Sequence, residues 1–202
     1  MMLRLAAFAV SILGALPALA GDCPASRADA EAGIEVTMDE GSIVYLTRAP
    51  DGIVTEDWIY ADGFRLRIRA VHGVHATEIT ELDQNGNPVP GTDEITTFDA
   101  PLPPEPELGD EWSTQARMRY GPDDGGEIVY ASIARAAGEL VIGPCRYASV
   151  TVTARITDGG EARLEEVDFL PALGVAILRA TGGGLGEDLS VFAPVTIGPM
   201  AP

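Results

Sequence analysis

The chain contains no lysine. All 13 of its basic residues are arginines, set against 31 aspartates and glutamates, and the formal net charge is -18 over 202 residues. Without lysine there is no Schiff-base chemistry, no P-loop phosphate clamp and no Ser-Lys dyad. The shortage of positive charge excludes a general nucleic-acid binder and polybasic attachment to an anionic membrane. Histidine and cysteine are scarce, at two each, and aromatic residues make up only 6%. Catalytic and nucleotide signatures are missing too. There is no G-x-S-x-G elbow, no H-E-x-x-H, no Walker A and no G-x-G-x-x-G opening a helix. Hydrophobic residues nevertheless reach 46%, enough for a folded core rather than a disordered acidic tail. The length suits one domain.

Residues Leu5 to Ala20 are apolar or small, after Arg4 and before an Ala18-Leu19-Ala20 cleavage signal. This reads as a secretory signal peptide over 1–20, with a single domain over 21–202. The run is shorter than the roughly 20 residues of a spanning helix, and no later stretch is long and apolar enough to span. Cleavage leaves 12 arginines against 31 acids, a net charge of -19. A periplasmic or extracellular bacterial destination is expected. Asp22 precedes Cys23, where a lipidation signal needs a small residue, so the mature chain is expected to be soluble. In an oxidising compartment Cys23 and Cys145 have only each other, and an intrachain disulfide is expected. Closing so long a loop contributes about 4–5 kcal/mol in the chain-entropy model.

The mature chain reads almost entirely as strand. Two-residue alternation recurs between Gly, Asp and Pro turns, most cleanly from Phe64 to Arg69 and from Tyr147 to Ile156. The first places Phe64, Leu66 and Ile68 on a core face and three arginines outside. Glu127–Ala134 and Gly138–Ile142 read as separate strands, with a turn over Pro122–Gly126. Ala162–Phe169 reads as a strand that a helical turn at Leu164–Glu166 competes with. Gly182–Gly184 reads as a flexible turn, and Ser26–Ala32 as the one short helix. A Pro- and acid-rich crossing segment over 99–110 divides the chain. The fold class is therefore all-β: a strongly curved antiparallel sheet of about ten strands, as a half-barrel, open barrel or sandwich.

Chemistry-bearing residues are few. His72 and His75 flank Gly73; regular strand geometry puts them on opposite faces, and they read as exposed or turn residues rather than a zinc pair. Asp83-Gln84-Asn85-Gly86-Asn87 has oxygen side chains at alternate positions, but its glycine is out of place for an EF-hand loop, and a hairpin turn accounts for it. Ser132 has no histidine near it in sequence. No catalytic residue, metal ligand or cofactor is assigned. Trp58, Tyr60, Trp112 and Tyr147 are the candidates for an apolar binding surface.

The stretches Val141-Ile142-Gly143-Pro144-Cys145-Arg146-Tyr147 and Asp168-Phe169-Leu170-Pro171-Ala172-Leu173-Gly174-Val175 carry a resemblance. They resemble secreted proteins of alphaproteobacteria, and more distantly the curved half-barrel envelope proteins of the lipoprotein-carrier type. The likeness covers about a third of the mature chain. It implies a concave apolar surface holding a lipid or apolar peptide, and it implies no catalytic residues. The leading expectation is a non-catalytic periplasmic or secreted binding or structural protein. The alternative is a hydrolase whose site assembles in space from acids and His72 or His75.

Overall fold

A computed structural model describes residues 23–183 and 189–201. The expected leader at 1–20 and Gly184 lie outside them, whereas Gly182 and Gly183, expected in a flexible turn, end a strand and pair with Leu164 and Arg163. The described chain opens on a short helix, α1 (Arg27–Ala32). Its start is set by a capping box: the Ser26 hydroxyl accepts from the Asp29 amide, and the Asp29 carboxylate accepts from the Ser26 amide. Gly33, at φ 111°, ends it.

Thirteen strands follow. They are β1 (Ile34–Met38), β2 (Ile43–Arg48), β3 (Ile53–Ile59), β4 (Arg65–Val71), β5 (His75–Glu81), β6 (Glu94–Phe98) and β7 (Glu111–Tyr120), then β8 (Asp123–Ile142), β9 (Cys145–Asp158), β10 (Glu161–Leu170), β11 (Val175–Gly183), β12 (Ser190–Val191) and β13 (Pro194–Pro199). All pair antiparallel in one sheet. Its order runs back along the chain from β12 to β1, with β13 added beyond β1.

That order brings the two edges of the sheet together. β12 pairs with β11 through Thr181–Ser190 and Ala180–Val191, whereas β13 starts with Pro194 against Met38 of β1. Only Phe192 and Ala193 separate them. The Phe192 amide donates to Arg179 at 2.7 Å, and the Asp39 amide donates to Ala193 at 2.9 Å. Strand twist, accumulated over many strands, curls the sheet until its edges meet at this link. The sheet is otherwise open and not closed into a barrel.

The core lies between the two halves of the curl. Val36, Leu46 and Trp58 of β1–β3 share a buried cluster with Val175, Ile177, Cys145 and Tyr147. A second cluster joins Ala134, Val152, Val167 and Phe169, and a third Met118, Ile128, Tyr130 and Ala154. Cys23 and Cys145 form the expected disulfide, with Cα atoms 5.7 Å apart. It ties the segment before α1 to the start of β9.

Several local expectations are corrected. The two strands expected around residue 135 form one 20-residue strand, β8, bulged between Ala134 and Ala136. The bulge changes the phase of alternation, so one strand reads as two. Asp123 already pairs with Tyr120, which confines the preceding turn to Gly121-Pro122. Leu164–Glu166 is strand. Phe64 is 43% exposed and lies just outside β4, leaning on Tyr60 with ring centroids 5.8 Å apart.

Candidate functional site

The four aromatic candidates fall in two places. Trp58, Tyr60 and Tyr147 belong to the first core cluster. Trp58 stacks on Tyr60 with centroids 5.7 Å apart and meets the edge of Phe192 at 5.9 Å. The Tyr147 ring is buried, and burial raises its hydroxyl above the ordinary tyrosine pKa. Trp112 lies apart, in an aromatic cell with Phe98, Tyr130 and His75 at centroid distances of 5.4, 5.7 and 5.2 Å. No single surface unites the four.

A groove of about 740 Å³ runs across β7–β11. Register explains its floor. Ala131 lies between Ser113 and Arg155, Ile133 opposite Thr153, Leu164 opposite Arg155, and Glu166 opposite Ala180. These residues point away from the face that buries Tyr130, Val152 and Ala154. Ala131, Ile133, Leu164, Ala180 and Leu189 make the groove largely apolar. Arg155 crosses that floor between Ala131 and Leu164, Arg135 lines the groove at the β8 bulge, and neither forms an ion pair among the described residues. Arg135 is the bulged residue of β8, which is why it escapes the pairing of its neighbours.

A smaller cavity, about 200 Å³, lies inside the curl between β3–β5 and β10–β11. Its walls are Leu66, Ile68, Ala70, Ile79, Val167 and Leu178, and two carboxyls enter it from opposite halves of the sheet. Glu56 is 6% exposed; the Trp58 indole donates to its Oε2 at 3.0 Å. Burial pushes Glu56 up to about 7, the indole bond opposes this, and the charge of Glu165 adds to it. Glu165 sits 3.2 Å from Arg163 Nε and keeps 22% of its side-chain surface open. Burial also raises its pKa, with Arg163 lowering it and Glu94 raising it. Glu165 is common to the walls of both the cavity and the groove.

The histidines separate. His72 stands in the β4–β5 turn at φ 57°, the one positive-φ residue other than glycine among the described residues. His75 is 1% exposed, correcting the expectation of an exposed or turn residue. Its Nδ1 is 3.3 Å from the Tyr130 hydroxyl, which donates to the Val74 carbonyl, so Nδ1 is assigned the proton. Burial lowers His75 to about 4, with His72 adding to the effect. Ser132, Asp110 and three prolines of the crossing segment line the same narrow gap as His75. Among the described residues His75 has no hydrogen bond to Ser132 or to a carboxylate. No group of three or more His, Cys, Asp or Glu among them is arranged to hold a metal ion. The Asp83 loop is an Asx turn, its carboxylate accepting from the amides of Asn85 and Asn87.

The crossing segment is clasped at Glu105. Arg27 of α1 reaches its carboxylate at 2.5 Å and Arg48 of β2 at 3.8 Å, with His72 at 4.0 Å. Arg48 is only 7% exposed and also pairs with Glu31 at 3.3 Å. At its end the segment joins β8: the Gly109 amide donates to Ala134, whose own amide donates to Asp110.

The site and fold thus define an open, curled antiparallel β protein with an apolar groove, a buried diacid cavity and one long-range disulfide. Comparison with family models, curated proteins and solved structures gives no match for this chain.

Proposed function

We infer that the chain is a non-catalytic binding protein of the bacterial periplasm or extracellular space, exported on a cleaved leader. Its ligand is a lipid or apolar peptide, held in the groove across β7–β11. The observation that carries this reading is the groove itself. Its 740 Å³ lies within the range of small-molecule sites, and a mostly apolar surface interrupted by a few polar groups is the usual composition of such sites. Leaving Ala131, Ile133 and Leu164 uncovered costs stability that an apolar ligand recovers. The likeness to half-barrel carriers of the envelope agrees with the same use of a curved sheet.

Native mass spectrometry of protein exported with its leader tests this. A bound apolar species should be lost on organic extraction and rebind afterwards. Ile133→Asp, which puts a charge on the floor, should reduce retention at least tenfold while near-ultraviolet circular dichroism stays unchanged. Equal retention by this variant would contradict the assignment.

The hydrolase reading draws on one observation, that Ser132, Asp110 and His75 line one gap. It requires an active-site phosphonylating reagent to label Ser132. The binding reading expects Ser132 to stay unlabelled.

A further inference from the structure

The interior cavity is separate in chemistry from the groove. Its walls are aliphatic except for Tyr60, Thr181 and the two carboxyls, and none of the described residues that line it is positively charged. A carboxyl placed in such a wall costs free energy unless it is paired or protonated. Glu56 has one protein donor, the Trp58 indole on Oε2; among the described residues nothing donates to Oε1. Glu56 is thus more than nine-tenths buried and lines a space large enough for a ligand, with half its acceptor capacity unused.

We propose that this cavity is a binding site for a small aliphatic ammonium, whose cation pairs with Glu56 and whose carbon chain lies against Leu66, Ile68 and Leu178. The size agrees. About 200 Å³ holds roughly seven heavy atoms at the ≈30 Å³ that each water occupies in the liquid. So does the sign of charge. A chain with 31 acids and 13 arginines carries a net negative charge that favours cations over anions. Glu165, facing Glu56 from β10, repels a second negative charge and favours a shared cation. Its own neighbours Arg163 and Glu94 act on it in opposite directions.

The groups that face Glu56 are Glu165 on β10 and Tyr60 just beyond β3; β4, β5 and β11 contribute no charged residue to the cavity. With Glu56 held near 7, about nine-tenths of it is ionised at pH 8 and about three-hundredths at pH 5.5. Ammonium affinity should therefore fall about thirtyfold between those values. Glu165, whose pKa is also raised, acts in the same direction.

The test uses Trp112→Phe protein, in which Trp58 is the only tryptophan and reports on Glu56 through its indole bond. The probes are n-hexylamine, 1-hexanol and hexanoate, each titrated at pH 8 and pH 5.5. Saturable quenching by n-hexylamine at pH 8, weakened about thirtyfold at pH 5.5 and at least tenfold by Glu56→Gln, is expected. Hexanoate should not bind. Ile133→Asp should leave the titration unchanged, which keeps this site distinct from the groove. Three results overturn the proposal: no saturable response to n-hexylamine, affinity independent of pH, or 1-hexanol binding as tightly as the amine. The pH comparison in unsubstituted Glu56 protein decides the matter even if Glu56→Gln fails to fold.

Discussion

Glu56 and His75 hold protons differently in the folded and unfolded chain, and their effects on stability have opposite sign. Glu56 rises from 4.5 to about 7, so between those values the folded state holds more protons and stability falls as pH rises. His75 drops from 6.5 to about 4, so the unfolded state holds more protons there and stability rises with pH. Each contributes roughly 3–4 kcal/mol across its window, at about 1.4 kcal/mol per unit. Between pH 4.5 and 6.5 the two nearly cancel. Urea unfolding should show Glu56→Gln gaining stability with pH across that interval and His75→Phe losing it. Parallel pH profiles for the two variants would contradict the assignment. Neither group is recognisable in sequence. Glu56 looks like any acid between threonine and aspartate, and its partner Glu165 is more than a hundred residues away.

At the scale of elements, the turns and the bridge carry the strain and the constraint. Gly73 has φ 71°, and a Cβ there would lie 2.7 Å from the Ala176 amide nitrogen of β11. Gly73→Ala should cost about 1–3 kcal/mol in urea unfolding, by strain and by prising β5 from β11. Replacing both cysteines by serine should cost about 2–5 kcal/mol, read as a lowered midpoint at unchanged slope. Glu105→Gln removes the negative charge that Arg27 and Arg48 share, and acrylamide should then quench Trp112 more strongly as the crossing segment loosens over it. Strands were legible where alternation ran unbroken, as in Tyr147–Ile156, because one face is buried and the other wet. At Ala134–Ala136 the bulge reverses the alternation, so periodicity alone divides one strand into two. Phe64 falls outside β4 because the Asp62-Gly63 turn consumes the residue that alternation alone counts as strand.

At the scale of the whole molecule, a sequential meander of this length has two edges to protect. This chain joins them through Phe192 and Ala193, and prolines are the first and last residues of the last strand. The fold class was legible because every pairing but one joins sequence neighbours. The exception, β1 with β13, was not legible, since nothing in Pro194–Pro199 names its partner. The groove was hidden for a related reason. Ile133, Thr153 and Leu164 are the outward members of their strands, and only the register of two consecutive pairings, β8 with β9 and β9 with β10, sets them side by side. The most direct test of the binding reading is native mass spectrometry of the exported protein before and after organic extraction, beside Ile133→Asp. A species of lipid or apolar-peptide mass that is present before, absent after, restored on readdition and depleted at least tenfold in Ile133→Asp is the predicted result. A chain that is empty in every preparation and takes up no apolar species, or a variant that retains as much ligand as the parent, would contradict it.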